Sequence, residues 1–426
     1  MVASILVPAM VLATSVGSMP AHAAPLTPDS IRFTPGRVLQ AGDPAAAGLR
    51  PDGLRQLGAD LASYLGPTPD QPDHPGYPGA VLLAARHGVV ALDTAVGSAV
   101  RYGVVGGQVV DLAPAQRVPM RVDTLFDIAS LTKLFTAIAV LREVERGTVA
   151  LDAPVARYLP EFAAAGKATI TVRALLTHTG GLAENINLDG YPDRAAALHA
   201  VLVAPLERGL VPGKQFHYSD LGLITLGAVL EKVTGQRLDE VVRTGITGPL
   251  GMRDTGYLPD PALRDRIAAT EYLPGKGILR GQAHDEKVAP LGGVAGHAGI
   301  FSTARDLAVL AQTLLDGGRY GGTRILREDT VRAMLRNANA GFPGDDHGLG
   351  VELDQPWYMG PLASPISFGH TGFTGTSLVV DPRSGAILVL LTNAVHPDRM
   401  WSVKAPTRNI PRRTVARDFA AAIIPS

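Results

Sequence analysis

The sequence predicts an α+β fold in which strands near both ends of the chain form one antiparallel sheet with flanking helices. A mostly helical region is inserted at about residues 150–340. Short apolar runs rich in β-branched residues occur near both ends, at residues 80–85, 89–92, 366–369, 377–380 and 386–392. Between these two sets, apolar residues recur with helical spacing and are interrupted by Pro and Gly. A cleft between sheet and helical region is then the expected place for a site.

The composition is that of an ordinary globular protein without a basic surface. Of the 426 residues, 46% are hydrophobic and 18% are charged, which allows a large core and excludes wholesale disorder. The formal net charge is zero and aromatic residues make up 5%, so nucleic acid is not an expected partner. Cysteine is absent, which excludes disulfides, thiol catalysis and zinc–cysteine sites.

Residues 1–24 have the pattern of an export signal. An apolar run at 3–19 precedes Ala21-His22-Ala23, which is an A-x-A cleavage pattern. The usual positive charge is missing because no Lys or Arg occurs before Arg32, and a buried N-terminal helix is the alternative. No other stretch is long enough to span a bilayer. We therefore expect a secreted or extracytoplasmic protein without stable membrane insertion.

The remaining elements divide the chain into an N-terminal segment, 25–78, and a main domain, 79–426. A helix in the first segment is predicted by the apolar residues Leu54, Leu57, Leu61 and Leu65. Five prolines between Pro67 and Pro78 predict an extended linker. In the main domain, one helix is expected to end at Gly147 and a final helix to cover 414–424.

Ser130 is the strongest candidate for a nucleophile. The run Ser130-Leu131-Thr132-Lys133 is the only S-x-x-K in the chain, and it begins a helix with periodic apolar residues. A three-residue step places both side chains on one helix face, so the amine can reach the hydroxyl. Burial at a helix N-terminus would disfavour the charged lysine and make it a usable base. The alternative for an isolated S-x-x-K is a surface lysine behind an N-capping serine.

Two later motifs decide between these readings. Tyr218-Ser219-Asp220 precedes a helical run, and His370-Thr371-Gly372-Phe373 lies on a predicted strand. The segments Phe126–Ala129 and Gly147–Phe162 flank the serine helix in a matching order. In the order S-x-x-K, Y-S-N/D and K/H-T-G, this chain resembles the serine β-lactamase and penicillin-binding-protein superfamily, in its class C β-lactamase-like branch. The resemblance runs from about residue 79 to the end.

The resemblance implies a β-lactamase/transpeptidase-like fold and acyl transfer through a covalent acyl-enzyme. Ser130 would attack the carbonyl, and Lys133 and Tyr218 would share the proton transfers, with the principal base left open. The backbone N–H groups of Ser130 and Phe373 would hold the oxyanion. His370 would complete the proton network or bind a substrate carboxylate. No metal or organic cofactor is implied.

The residues implied in substrate binding are Asp220, Thr371, Gly372 and Phe373. Two positions depart from the common pattern. Asp220 stands where β-lactamases usually carry Asn, and an ionised carboxylate cannot donate a hydrogen bond, so Asp220 either contacts substrate differently or pairs with Lys133. His370 stands where many members have Lys, which replaces a fixed charge by a group expected to titrate near neutrality. Both changes favour the esterase-like and peptidase-like members.

Other candidates are interpreted as structural. A second H-T-G begins at His178, directly after a helical segment, and we assign the functional role to His370 instead. The segment 283–299 is dense in titratable residues and glycine, and we expect it to line the cleft with His297 packed inside. It contains no H-E-x-x-H, so a metal site is not expected. The remaining histidines considered are expected in turns or on the surface: His87, His199, His347 and His396.

The function that follows is a secreted serine hydrolase of penicillin-binding-protein type. A D-Ala-D-Ala carboxypeptidase or an esterase is the leading expectation, and a β-lactamase is the enzymatic alternative. A non-catalytic penicillin-binding or cell-wall sensor domain is the alternative outside enzymes. The expected partner is a small molecule or a peptidoglycan peptide, and the oligomeric state is not predicted.

Overall fold

The computed structural model describes residues 26–403 and 408–425, so the predicted export signal lies outside the described residues. The α-helices of this part of the chain are α1 (Pro51–Ser63), α2 (Thr132–Arg146), α3 (Val172–Leu176), α4 (Arg194–Val203), α5 (Asp220–Thr234), α6 (Leu238–Val242), α7 (Ala304–Leu315), α8 (Glu328–Met334), α9 (Pro356–Met359), α10 (Met400–Val403) and α11 (Asn409–Ala422). The strands are β1 (Gln40–Ala41), β2 (Pro67–Thr68), β3 (Gln71–Pro75), β4 (Gly79–Arg86), β5 (Val89–Val100), β6 (Tyr102–Val105), β7 (Gln108–Asp111), β8 (Val118–Pro119), β9 (Phe126–Asp127), β10 (Gly256–Tyr257), β11 (Tyr272–Leu273), β12 (Gly277–Ile278), β13 (Ile300–Ser302), β14 (Arg319–Tyr320), β15 (Thr323–Arg324), β16 (Glu352–Leu353), β17 (Phe368–Thr371), β18 (Ser377–Asp381) and β19 (Ala386–Thr392).

The main sheet joins the two ends of the chain, as the sequence predicts. Its strand order is β1-β5-β4-β19-β18-β17-β16, with β8 paired to β5 at the edge. The central pairing of β4 with β19 is antiparallel and connects strands from opposite ends of the chain. The predicted α+β fold is confirmed, with one difference: β1 pairs parallel to β5, so the sheet is mixed at that edge. A two-residue strand carries too short a pattern to be recognised in a sequence.

Both faces of the sheet are covered. Val81 and Leu83 point into the larger core, which is shared with α2, α5 and α7. Ala80 and Leu82 point the opposite way, into a smaller core formed with α1, α9 and α11. Successive strand side chains alternate between faces, and here both faces are buried. This explains why the strand at 80–85 is apolar throughout although its neighbours are antiparallel.

Two histidines assigned to turns or the surface are instead buried, which corrects that expectation. His347 is 2% exposed and His396 is fully buried. The His396 ring accepts hydrogen bonds from the backbone N–H groups of Arg101 and Tyr102 and donates from Nδ1 to the Thr270 carbonyl. A polar ring that completes the hydrogen bonds of buried loops is stable inside a protein. Among the described residues, no helix is long and apolar enough to cross a membrane.

The segments carrying the predicted motifs converge at one end of β17. The short sheet β10-β13-β9 leads directly into Ser130, and α5 begins just after Tyr218. The turn after β17 contacts the segment before Ser130, because Thr374 and Thr376 donate to the carbonyls of Asp127 and Ile128. The packing of sheet, helices and turn therefore creates the site described next.

Candidate active site

Ser130 lies in a tight turn that precedes helix α2. It is the middle residue of the 3-10 turn Ala129–Leu131. Ala129 has φ +48°, a left-handed conformation that costs a non-glycine residue about 1–3 kcal/mol. Asp127 stabilises this turn: its carboxylate accepts from the Ala129 N–H at 2.9 Å and from the His284 N–H at 2.7 Å. The turn holds Ser130 half-buried at the wall of a cleft.

Ser130 Oγ contacts both residues predicted to move its proton. Lys133 Nζ donates to it at 2.9 Å, and the Tyr218 hydroxyl donates to it at 3.0 Å. Lys133 is 1% exposed and also donates to the His297 carbonyl at 3.2 Å. The three side chains come from two separate parts of the sequence, and the fold brings them into direct contact. This arrangement can activate a serine without a histidine base.

Asp220 forms a buried ion-pair network with two lysines. Lys133 Nζ lies 2.8 Å from Asp220 Oδ1, and Lys287 Nζ lies 3.3 Å from Asp220 Oδ2. Lys287 also contacts Asp285 at 3.1 Å, and the His297 ring lies 3.1 Å from the same carboxylate. Of the two alternatives considered for Asp220, the structure therefore has the pairing with Lys133. Two ammonium groups balance two carboxylates in this network.

The network affects the pKa values of Lys133 and Tyr218, the two candidate bases. Burial disfavours the Lys133 ammonium, but Asp220 and Tyr218 more than offset this effect and raise its pKa above the ordinary value. This corrects the expectation that burial leaves Lys133 uncharged near neutral pH. Burial also raises the pKa of Tyr218 to about 12, although Lys133 acts in the opposite direction. In the resting state both groups therefore keep their protons.

His370 and His178 both lie close to Tyr218. The His370 ring centre is 6.4 Å from that of Tyr218, and its Nδ1 donates to the Thr371 carbonyl at 2.7 Å. Burial lowers the pKa of His370 to about 3, so its expected titration near neutrality is wrong. His178 stacks on Tyr218 at 4.6 Å, and its Nδ1 accepts from the Ser219 N–H. This contact fits the structural interpretation of His178, which holds the Tyr218 ring in place.

The turn at Gly372 packs directly against the segment that precedes Ser130. A Cβ atom on Gly372 would lie 2.5 Å from the Ile128 carbonyl oxygen, so only glycine permits this approach. Arg412 fixes the turn by donating to the carbonyls of Gly372 and Thr376, at 2.6 and 3.0 Å. The Phe373 N–H makes no hydrogen bond within the described residues, as an oxyanion donor requires.

A cleft of about 580 Å³ opens in front of Ser130. Its lining residues are Ala129, Ser130, Glu184–Asp189, Tyr218, Asp220, His284–Lys287, Ala298, Phe373 and Arg399. Of the predicted site residues, Ser130, Tyr218, Asp220 and Phe373 line it. Lys133 and His370 are buried, and neither they nor Thr371 and Gly372 belong to the described lining. The segment 284–287 lines the cleft and His297 is fully buried, as the sequence predicts.

One group of side chains has the spacing of a cation site. Possible ligand atoms of Asp220, Asp285 and His297 lie within 4.8 Å of one another. Lys287 contacts both carboxylates, and Lys133 contacts Asp220. The two ammonium groups therefore already supply the positive charge that a bound cation would bring.

The sequence does not predict Arg399 as a member of this site. It predicts that the segment 283–299 lines the cleft and that His178 is structural, but no motif states that Lys287 pairs with Asp220. That contact joins residues 67 positions apart. The only signal in the sequence was the Asp at 220, because a buried carboxylate requires cationic partners.

Known proteins match this chain over most of its length. The β-lactamase family model matches residues 67–409. A protein of Escherichia coli (strain K12) named "Putative D-alanyl-D-alanine carboxypeptidase" is 34% identical over 400 residues, covering 84% of this chain and 86% of that protein. A relative with the same name from Salmonella agona is 32% identical and covers 75% of this chain and 80% of its own length.

Two solved structures share the fold at 25% sequence identity. One is EstCE1, a hydrolase with promiscuous acyltransferase activity, with a TM-score of 0.62 over 86% of this chain and 98% of that chain. The other is a penicillin-binding protein homologue from Caulobacter crescentus, with a TM-score of 0.61 over 81% of this chain and 93% of that chain. The family match, the relatives and the fold agree with the contacts around Ser130, and the chain belongs to the β-lactamase family of serine hydrolases.

Proposed function

We propose that this protein forms an acyl-enzyme on Ser130 and removes the terminal residue from peptides that end in D-Ala-D-Ala. The observation that carries the proposal is the shared contact of Lys133 Nζ and the Tyr218 hydroxyl with Ser130 Oγ, at 2.9 and 3.0 Å. Once this pair has lost one proton, it accepts the serine proton during attack. The same proton then goes to the leaving amine, and water releases the acyl group.

The substrate class is supported by the relatives. The Escherichia coli protein at 34% identity carries a D-alanyl-D-alanine carboxypeptidase name, and it matches this chain over 84% of the chain's length. The cleft in front of Ser130 has a volume of about 580 Å³ and is lined in part by the loop 184–189, which leaves room for a peptide.

Hydrolysis of esters with a neutral leaving group is the second candidate. Lys287 and Arg399, the two Lys or Arg residues among the described cleft lining, each contact two carboxylates. Burial keeps His370 neutral, so it offers no charge to a substrate carboxylate. A site without a free cation suits a neutral ester. The likeness to EstCE1, at 25% identity, also supports this candidate.

A panel of four reagents tests the proposal: a D-Ala-D-Ala peptide, a short-chain nitrophenyl ester, a chromogenic cephalosporin and a fluorescent penicillin. Peptide cleavage with stable penicillin labelling is the expected result. Ester turnover alone would favour the second candidate, and rapid cephalosporin turnover would indicate a β-lactamase. Penicillin labelling without turnover of any substrate would indicate a non-catalytic binding domain, and so would the absence of both labelling and turnover.

We also infer that the protein is exported. The apolar run at 3–19 and the pattern Ala21-His22-Ala23 support an export signal, and a cell-wall peptide would be met outside the cytoplasm. Cell fractionation followed by N-terminal sequencing tests this inference. We expect a mature N-terminus at Ala24, and a cytoplasmic protein that keeps Met1 would contradict the inference.

A further inference from the structure

A substrate that ends in D-Ala carries a carboxylate close to the bond that is cut, so the site needs a cation near Ser130. Lys133 lies at Ser130 but is buried and paired with Asp220, and Arg412 is buried and donates to the carbonyls of Gly372 and Thr376. Three further described cationic side chains lie around the cleft: Lys287 and Arg399 in its lining, and Arg408 over the Phe373 ring. Arg408 lies 4.4 Å over the Phe373 ring and donates to the Ser402 carbonyl, but it is not among the lining residues. The choice is therefore between Lys287 and Arg399.

All three N–H donors of the Lys287 ammonium already have partners. Its ammonium lies 3.1 Å from Asp285, 3.3 Å from Asp220 and 2.8 Å from Asn185 Oδ1, which uses all three N–H bonds. Its side chain is 8% exposed. A substrate carboxylate could reach it only by breaking the network that also holds Lys133.

Arg399 has two carboxylate partners that differ in exposure. Its Nε donates at 2.5 Å to Glu271, which is 8% exposed and also contacts His284 Nε2 at 2.9 Å. Its Nη1 lies 2.6 Å from Glu286, whose side chain is 54% exposed. Glu271 is thus a fixed partner, whereas Glu286 can turn out into solvent. An ion pair with a solvent-exposed partner of this kind contributes little to stability.

Arg399 also lines the cleft that opens in front of Ser130. Its guanidinium carbon is 5.8 Å from the ring centre of Phe373, which lines the same cleft. We infer that Arg399 binds the carboxylate of the leaving residue, and that Glu286 is a counter-ion which this carboxylate displaces. The inference rests on the proposed function and names the specificity-determining residue of the same site. Once Glu286 is displaced, the free edge of the Arg399 guanidinium matches the planar geometry of the incoming carboxylate.

Paired substrates test this assignment. One pair is an acylated peptide ending in D-Ala-D-Ala and the same peptide with a C-terminal amide. A second pair replaces the last residue by D-lactate or D-lactamide, so that an ester bond is cut. The readout is the ratio of kcat/KM for the acid to kcat/KM for the amide within each pair. Arg399→Gln, Arg399→Lys and Glu286→Gln are compared with the wild-type protein.

We expect Arg399→Gln to lower this ratio by about tenfold to 100-fold, mainly through KM, since one charged hydrogen-bonding partner is lost. Arg399→Lys should recover part of that loss. Glu286→Gln should raise the ratio, because the competing carboxylate is removed. Arg332 and Glu328 form a matched control pair with similar exposures, 20% and 52%, outside the cleft lining. Arg332→Gln and Glu328→Gln should leave the ratio unchanged.

Two results would overturn the assignment while leaving the proposed function intact. One is an Arg399→Gln protein, with an unchanged melting temperature, that loses activity equally on acid and amide. The other is a Glu286→Gln protein with a lowered ratio, which remains informative even if Arg399→Gln fails to fold. If the wild-type protein hydrolyses none of the four substrates, the proposed function itself is overturned, and this inference with it.

Discussion

Lys133 Nζ lies 2.8 Å from Asp220 Oδ1, and the two side chains are only 1% and 10% exposed. This pair places a carboxylate directly behind the lysine of the S-x-x-K motif. The carboxylate stabilises the ammonium and so retains the proton that must leave before Ser130 can be activated. Asp220 also raises the pKa of Tyr218, which opposes activation of the second candidate base. The activity should therefore depend on loss of one proton from the Lys133–Tyr218 pair.

Replacing Asp220 by Asn should shift the pH profile. We expect kcat/KM of the wild-type protein to rise with pH above neutrality, as one proton leaves the pair. In Asp220→Asn the negative charge is gone, so the pKa values of both Lys133 and Tyr218 fall, whichever is the base. The rising limb should move to lower pH by at least about one unit, given a charge interaction of several kcal/mol at this distance.

The matched control for this shift is Asp189→Asn, which removes an exposed carboxylate from the rim of the same cleft. Its pH profile should follow that of the wild-type protein, because solvent screens an exposed charge. A limb that stays in place in Asp220→Asn would contradict the account of Asp220 as the group that holds the proton on Lys133.

Ser130→Ala should abolish turnover and covalent labelling. No neighbouring hydroxyl can take the place of the nucleophile, so we expect a loss of about 10³-fold or more. Mass spectrometry after incubation with penicillin measures the labelling directly. Ser63→Ala, at the exposed end of α1, is the control and should retain the mass shift. Normal labelling of Ser130→Ala would remove Ser130 from the mechanism.

Lys133→Ala and Tyr218→Phe should not have additive effects. Both groups contact the same Ser130 oxygen and act on the same proton, so losing either one disables the transfer. We expect each single variant to lose about 10³-fold in kcat/KM and the double variant to be little worse than the poorer single one. Independent, multiplicative losses would show that the two residues serve separate steps.

The sequence predicts the parts of this site that are local, and it misses the parts that depend on distant contacts. Ser130 and Lys133 are one helical turn apart, so their contact follows from spacing alone. The family resemblance predicts Tyr218 and Phe373 as site residues, and both line the cleft. The main sheet is equally predictable from the sequence, since β4 and β19 are long apolar runs.

The charge state of the site cannot be predicted from the sequence in the same way. The sequence correctly predicts that Lys133 is buried, but burial and a neighbouring carboxylate act on its pKa in opposite directions. Which effect is larger depends on the 2.8 Å contact with Asp220, and the sequence does not contain that distance. For His370 the error has the same origin: burial and the Lys133 ammonium lower its pKa more than Asp220 raises it, and only the packed structure reveals how completely the ring is buried.

His370 should remain neutral across the physiological pH range. Burial is the main cause that lowers its pKa to about 3, and the nearby Lys133 ammonium acts in the same direction. We expect the His370 ring resonances in NMR to be constant between pH 8 and pH 5. A His370 midpoint near 6.5 would restore a role as a titrating group.

Several buried neutral histidines should make the protein sensitive to acid. Burial lowers the pKa of four histidine rings. The pKa falls well below its ordinary value in His178, to about 4 in His347 and His396, and to about 3 in His370. In the unfolded chain each would bind a proton below about pH 6.5. Because the folded pKa is depressed, the stabilisation is complete above pH 6.5 and is lost as the pH falls toward the folded values.

Two buried carboxyls act in the opposite direction between pH 6 and pH 4.5. Burial raises the pKa of Glu352 to about 7 and that of Asp316 to about 6, so each keeps a proton in the folded state that it releases on unfolding. Each buried histidine that gains a proton on unfolding contributes a loss of about 1.4 kcal/mol per pH unit, and each of these two carboxyls offsets one such contribution. Urea unfolding at pH 6.0, 5.5 and 5.0 measures this slope. His347→Gln should reduce it by about 1.4 kcal/mol per pH unit, because one ring that gains a proton on unfolding is removed. A free energy of unfolding that stays constant or increases over this range would show that the buried rings are protonated in the folded protein.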